Sequence, residues 1–248
     1  MSERECVLVF GLKPSRSRED DKDGWVDEKP DGPTAGHAGG MLSALFLLIF
    51  AIAIIIPWTV ADSARQNTQV ESQALVEAYW AAGDLPTADA GTVRAGLRDY
   101  ARFVADTEWT SLARGHLDDA GWTRLDALRA SADGFTYTNK DHKAAQDRIE
   151  TQLQSIYEAR RQRAVDAQAG LPVGVLWLTV VTGLIIAVFP FLAGARPRGI
   201  VWLPWAVMVG CLMIGVFLVF AIDQAFSGPL GVGPDAYRTA LQEFARIP

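Results

Sequence analysis

Three long apolar stretches without a charged residue constrain this chain more than any other feature. They comprise Met41–Val60, Val173–Ala193 and Ile200–Ile222, and none contains Asp, Glu, Lys, Arg or His. A helix needs about 20 residues to cross a hydrocarbon core of ~30 Å, so each stretch predicts a transmembrane helix. The spans lack the ionisable ligands that a proton or ion pump needs. The sequence therefore predicts an all-α integral membrane protein with three transmembrane helices.

Residues 61–172 form a long polar insert between the first and second spans. Apolar positions recur there at helical spacing, and no alternation of period two is long enough for a sheet. Pro57 predicts a kink or the end of the first helix. We predict a helical bundle in the insert, with four helices that begin near Asp62 or Ser63, Thr87, Asp118 and Asp141.

Polar segments also lie at both ends of the chain. Residues 1–40 carry mixed charges with Pro and Gly, a composition typical of disorder. Two alternatives stay open: this segment is a real tail, or translation starts at Met41. Residues 223–248 include a weakly amphipathic stretch, Pro234–Ile247, which predicts a docked or interfacial helix.

Composition excludes several classes of function. The net charge of −6 provides no basic surface for nucleic acid. Cys6 and Cys211 lie far apart, and no histidine pairs with a cysteine at the spacing of metal ligands. No nucleophile elbow, phosphate loop or paired carboxylates can be found. We therefore expect a protein that is not an enzyme and that binds no metal or cofactor.

Four local patterns surround the spans in a characteristic order. They are Glu71-Ser-Gln-Ala-Leu75 with Tyr79 and Leu85-Pro86; Tyr100 with Glu108-Trp109; Arg160 and Arg163 with Gly170-Leu171-Pro172 and Trp177; and Asp223 with Phe226, Gly228 and Pro234. Together, over residues 42–246, they resemble the bestrophin-like family of bacterial membrane proteins. The chain departs from that family at Ala225, where proline is frequent, and in having a polar tail where the family often has one more span.

The resemblance implies a ring of subunits, because bestrophins are anion channels whose extramembrane helices continue the pore. It therefore implies a homo-oligomer in a lipid bilayer, with inorganic anions as the ions conducted. A pore needs a face on the first span, and we predict one at helical spacing. Its members are Ser43, Phe46, Phe50, Ile54 and Pro57. The alternative is that these residues simply face lipid.

Eight residues are predicted to make contacts between helices or between subunits. They are Glu71, Glu77, Glu108, Trp109, Arg160, Arg163, Asp223 and Phe226. We expect Glu71 and Glu77 to pair with Arg160 or Arg163 on the returning helix. Trp109 is either a subunit contact or a core residue beside a solvated Glu108. Asp223 is expected to cap the turn through Gly228.

Two functional hypotheses follow from these observations. The first is an oligomeric ion channel in the plasma membrane, with the insert and the C-terminus in the cytoplasm. Arginine and lysine residues lie on both sides of the membrane, so the positive-inside rule leaves the opposite orientation open. The second hypothesis is a membrane sensor, or a signalling or structural partner protein, without transport activity.

Overall fold

The computed structural model describes residues 33–194, 202–228 and 231–248, and these residues contain helices and no strand. The helices are α1 (Pro33–Ala81), α2 (Thr87–Phe103), α3 (Trp109–Leu112), α4 (Asp119–Asp133), α5 (Lys140–Gln168), α6 (Val173–Leu192), α7 (Trp202–Ile222) and α8 (Asp235–Phe244). A 3₁₀ turn follows α1, and a π-helical segment, Val104–Glu108, joins α2 to α3. The predicted all-α class is confirmed.

Helix α1 is a single helix of 49 residues, roughly 73 Å long at ~1.5 Å per residue. It contains Pro57 without ending there, so the predicted break before Asp62 is wrong. Burial explains the continuity: Ala53, one turn before the proline, packs with Leu171 and Val219. Residues 33–40, predicted to be disordered, form its first turns. The remainder of the predicted tail, residues 1–32, lies outside the described residues.

Three helices are long and apolar enough to cross a membrane: α1, α6 and α7. The first helix contacts both of the others. A Cβ atom on Gly183 of α6 would lie 3.5 Å from the Phe46 ring, and one on Gly215 of α7 would lie 2.8 Å from the Phe50 ring. Small residues therefore let α6 and α7 approach the aromatic side of α1. The predicted hairpin connection, residues 194–199, lies outside the described residues after Gly194.

The C-terminal half of α1 continues beyond the apolar span and packs along α5. With α2, α4 and α8 these two helices form what we call the extramembrane bundle. Its core is made of buried side chains that include Leu75, Leu97, Val104, Leu125, Ile149, Leu153, Ile156 and Phe244. Burying one such side chain contributes about 1.5–3 kcal/mol, so this core holds the bundle together.

Local signals set the helix boundaries in the bundle. The carboxylate of Asp118 accepts the backbone N–H of Ala120 at 2.9 Å and caps α4. Asn139 caps α5 in the same way. Gly115 adopts a φ of 87°, which ends the segment that contains α3. The amphipathic C-terminal stretch is docked, because Tyr237, Ala240 and Phe244 of α8 are buried against the bundle.

Candidate functional site

A group of buried polar side chains joins α1, α2, the π-helical segment, α5 and α8. We call it the ionic cluster; its members are Glu71, Tyr100, Glu108, Arg160, Arg163 and Tyr237. Each of these residues is fully buried. They come from α1, α2, the π-helical segment, α5 and α8, so the cluster connects elements that are distant in sequence.

Helical spacing places the cluster residues on inward faces. Arg160 and Arg163 are three residues apart on α5 and therefore share one face. Tyr100 lies on the buried stripe of α2 with Val93 and Leu97. The π-helical segment ends at Glu108, and turns of this kind are frequent at functional sites.

Glu108 is the acceptor at the centre of the cluster. Arg160 Nη1 donates to its Oε2 at 2.8 Å, and Arg160 Nη2 donates to its Oε1. Arg163 Nη2 donates to Oε2 at 3.3 Å, and the backbone N–H of Asp118 donates to Oε1 at 3.3 Å. The pairing with Arg160 is bidentate, the strongest arrangement for a carboxylate and a guanidinium.

Glu71 is the second carboxylate of the cluster. The Tyr100 hydroxyl donates to Glu71 Oε1 at 2.5 Å, and Arg163 Nη1 lies 3.2 Å from Oε2. The same Arg163 nitrogen donates to the Tyr237 hydroxyl oxygen. The two carboxylates thus meet two guanidinium groups, and the formal charges of the cluster cancel.

Burial and neighbouring charges keep the tyrosines neutral and the arginines charged. Burial raises the pKa of Tyr100 well above its ordinary value, and the charge of Glu71 raises it further. Burial also raises the pKa of Tyr237, and this outweighs the opposing effect of Arg163. Burial lowers the pKa of Arg163, but the charges around it, Glu71 first, leave that pKa above its ordinary value.

Aromatic rings enclose the guanidinium groups. Arg160 lies over the Trp122 ring at 4.8 Å from its centroid, and Arg163 over the Tyr237 ring at 5.3 Å. Gly121 makes room for Arg160, because a Cβ atom there would overlap the guanidinium group. Such contacts stabilise a desolvated cation by about 2 kcal/mol.

Three buried atoms of the cluster have no hydrogen-bond partner within the described residues: Glu71 Oε2, Arg160 Nε and Arg163 Nε. Glu71 Oε2 still has its ion pair with Arg163 at 3.2 Å, whereas a buried N–H without a partner, as on each of the two Nε atoms, costs about 1–3 kcal/mol. The cluster is closed to solvent, so it offers no surface to a substrate. Its geometry suits it to fix the register of α1, α2, α5 and α8.

Among the described residues, no group of His, Cys, Asp or Glu could hold a metal ion.

The sequence-predicted contact residues are distributed over three places. Glu71, Glu108, Arg160 and Arg163 all lie in the ionic cluster. Glu77 does not: it is exposed and lies in a groove beside α8, so its predicted pairing with the arginines is wrong. The alternative of a solvated Glu108 is also wrong, because its side chain is fully buried.

The other predicted contacts lie near the membrane end of the bundle. The Trp109 indole N–H donates to the Val232 carbonyl at 3.1 Å, and its ring lies edge-on to Phe226 at 5.7 Å. Both aromatic residues therefore make contacts within the chain. Asp223 accepts the backbone N–H of Leu171 at 2.8 Å, so it joins the end of α7 to the α5–α6 connection. Within the described residues no hydrogen bond joins Asp223 to the turn through Gly228, so the predicted capping is not found there.

The predicted pore-lining face of α1 is largely turned toward the other two spans, α6 and α7. Phe46 and Pro57 are buried, and Phe50 and Ile54 are partly buried against α6, α7 or the neighbouring loop. Of the five residues predicted, only Ser43 is exposed. This prediction is wrong because aromatic and aliphatic residues fill the seam between the three spans.

The opposite face of α1 is exposed along nearly its whole length. We call it the outward stripe; its members are Met41, Leu45, Leu48, Ile52, Ile55, Thr59, Ser63, Gln66, Val70, Gln73, Glu77 and Trp80. They follow one another at intervals of three or four residues, which keeps them on one helix face. The stripe is apolar up to Ile55 and mostly polar beyond it. Sequence reasoning missed it because both faces of the span are apolar.

Comparison with known protein families finds a match. The family model described as the Bestrophin-like domain matches residues 28–237. This range contains the three spans and every member of the ionic cluster. No curated protein matches the chain, and no solved structure does.

Proposed function

Because the chain belongs to the bestrophin-like family of membrane proteins, we propose that it forms a homo-oligomeric ring around an ion-conducting pore. The outward stripe of α1 carries this proposal. It is the face that a neighbouring copy or a central pore can reach, since the other face packs against α6 and α7 in the membrane and against the extramembrane bundle beyond it. This proposal replaces the pore face predicted from the sequence.

The composition of the stripe suits a pore with two sections. Met41 to Ile55 would provide an apolar neck roughly 21 Å long at ~1.5 Å per residue. Apolar constrictions of this kind can gate by excluding water. Ser63 and Gln66 would line the wider section with hydroxyl and amide groups, which donate hydrogen bonds to anions. We therefore propose inorganic anions as the conducted ions, and a plasma-membrane location with the bundle in the cytoplasm.

Ion flux into reconstituted vesicles tests the pore. We expect flux above that of empty vesicles, and a several-fold increase in Ile52→Ser, because a hydroxyl group wets the apolar neck. Ile214→Ser is the matched control: Ile214 is also exposed in a span, but it lies on α7. Equal effects of the two substitutions, or no flux in any variant, would contradict the proposed pore. The native mass of the purified protein tests the ring, and a monomer would exclude it.

A second candidate, a membrane sensor without transport, has one observation in its favour. A groove of about 580 Å³ lies between α1 and α8. That volume is within the range of small-molecule sites, about 300–1,000 Å³. Copurification of a single effector protein, with no ion flux, would favour the sensor over the channel.

A further inference from the structure

A small cavity lies where α1 and α7 leave the membrane. Its volume is about 170 Å³, and its lining residues are Trp58, Ala61, Asp62, Arg65, Ile222 and Gln224. The apolar stretch of the first span ends at Val60, and that of the third span ends at Ile222. The cavity therefore lies at the level of the lipid headgroups.

The lining has the chemistry of a phospholipid, with one apolar and one charged side. Trp58 and Ile222 provide the apolar side, and 62% of the Trp58 surface is exposed. Tryptophan is enriched at membrane interfaces because its ring is apolar and its indole N–H needs a polar partner. Within the described residues, no partner accepts this N–H. The cavity is smaller than a drug-sized site, which suits a headgroup rather than a whole lipid.

The charged side carries one group of each sign. Arg65 forms no ion pair within the described residues and can reach a phosphate. Asp62 accepts a hydrogen bond from Gln66 Nε2 at 2.8 Å, and its carboxylate oxygens have lone pairs left to accept further hydrogen bonds. The neighbouring Asp223 faces Leu171 instead. The cavity is therefore neutral overall, with a cation and a carboxylate three residues apart on α1.

We propose that this cavity binds the headgroup of phosphatidylethanolamine. Arg65 and the Trp58 indole N–H bind the phosphate, and Asp62 binds the primary ammonium group. An anionic headgroup without an amine leaves Asp62 next to a negative charge. A choline headgroup has no N–H to donate to the carboxylate. The lipid site requires only that the protein lies in a membrane, so a failure to conduct ions would leave this proposal unaffected.

Native mass spectrometry of the full chain, released from detergent, measures lipid retention directly. The probes are phosphatidylethanolamine, phosphatidylcholine and phosphatidylglycerol, titrated separately. We expect the wild-type protein to retain phosphatidylethanolamine about fivefold more tightly than the other two, as one partly exposed charged contact allows. Equal retention of the three lipids, or tighter retention of phosphatidylglycerol, would overturn the proposal.

Two substitutions separate the roles of the charged groups. Asp62→Asn should abolish the preference for the amine, while Arg65→Gln should weaken retention of all three lipids. Both positions are exposed, so these variants are expected to fold. Arg161→Gln is the matched control, because Arg161 is an exposed arginine that does not line the cavity. A preference that persists in Asp62→Asn would refute the assigned role of the carboxylate.

Discussion

Glu108→Gln should destabilise the extramembrane bundle by about 3–5 kcal/mol, the cost of removing one partner from a buried ion pair. The carboxylate accepts hydrogen bonds from Arg160, from Arg163 and from the backbone N–H of Asp118. Glutamine has nearly the same shape, but it carries no charge and only one of its terminal atoms accepts. The cluster would change from neutral to a net charge of +1 in a site closed to water.

Near-ultraviolet circular dichroism of the detergent-solubilised protein follows this loss. Trp122 lies over Arg160 at 4.8 Å, and Trp109 lies 5.9 Å from Arg163, so their signals report on the cluster. At ~2–4 °C for each kcal/mol, we expect the melting temperature to fall by about 6–20 °C. Scan rate and detergent are held constant, because membrane proteins often unfold irreversibly.

Two further variants make the test specific. Glu77→Gln removes an exposed carboxylate from α1 and should change stability by no more than about 0.5 kcal/mol. Glu108→Gln combined with Arg160→Gln restores neutrality, so the double variant should lose less than the sum of the single losses. A Glu108→Gln protein that melts within 1–2 °C of the wild type, or strictly additive losses, would refute an energetically coupled cluster.

Three other predictions concern Tyr100, Gly121 and Gly215. The raised pKa of Tyr100 means that the folded chain keeps a proton which the unfolded chain loses above about pH 10. Stability should therefore fall as pH rises above that value, and the fall should be shallower in Tyr100→Phe when melting is followed from pH 9 to 11. Gly121→Ala should cost about 1–3 kcal/mol through overpacking against a guanidinium group, whereas Gly91→Ala, in open space on α2, should be neutral or stabilising in urea unfolding. Gly215→Ala should weaken the packing of α7 on α1 and lower the melting temperature, whereas Gly210→Ala, which has nothing within 4 Å, should leave it unchanged.

The membrane spans were predictable from the sequence because their signal is local. An uncharged stretch of about 20 residues has few alternatives to a transmembrane helix. The continuity of α1 was not predictable in this way. Pro57 and the polar residues after it indicate a break, but the packing of Ala53 with Leu171 and Val219 involves residues more than 100 positions away.

The ionic cluster was predictable only in part. The spacing of Arg160 and Arg163 indicates that they share one face of α5. Glu71 and Arg163 both follow or precede a span closely in the sequence, so their pairing could be predicted. Burial of Glu108 depends on the π-helical segment and on the position of Asp118, which have no clear sequence signature. Tyr237 lies on the apolar face of α8, and its hydroxyl group is the one local hint of a polar partner inside the bundle.

Because α1 is continuous, its membrane end and its extramembrane end can only turn together about the helix axis. Glu71 lies about 28 Å along that axis from Ile52, at ~1.5 Å per residue. A helix without a break transmits torsion, so turning the membrane end would draw Glu71 away from Tyr100 and Arg163. The contacts of Glu71 with Tyr100 and Arg163 would therefore oppose a rotation of the membrane end about the helix axis.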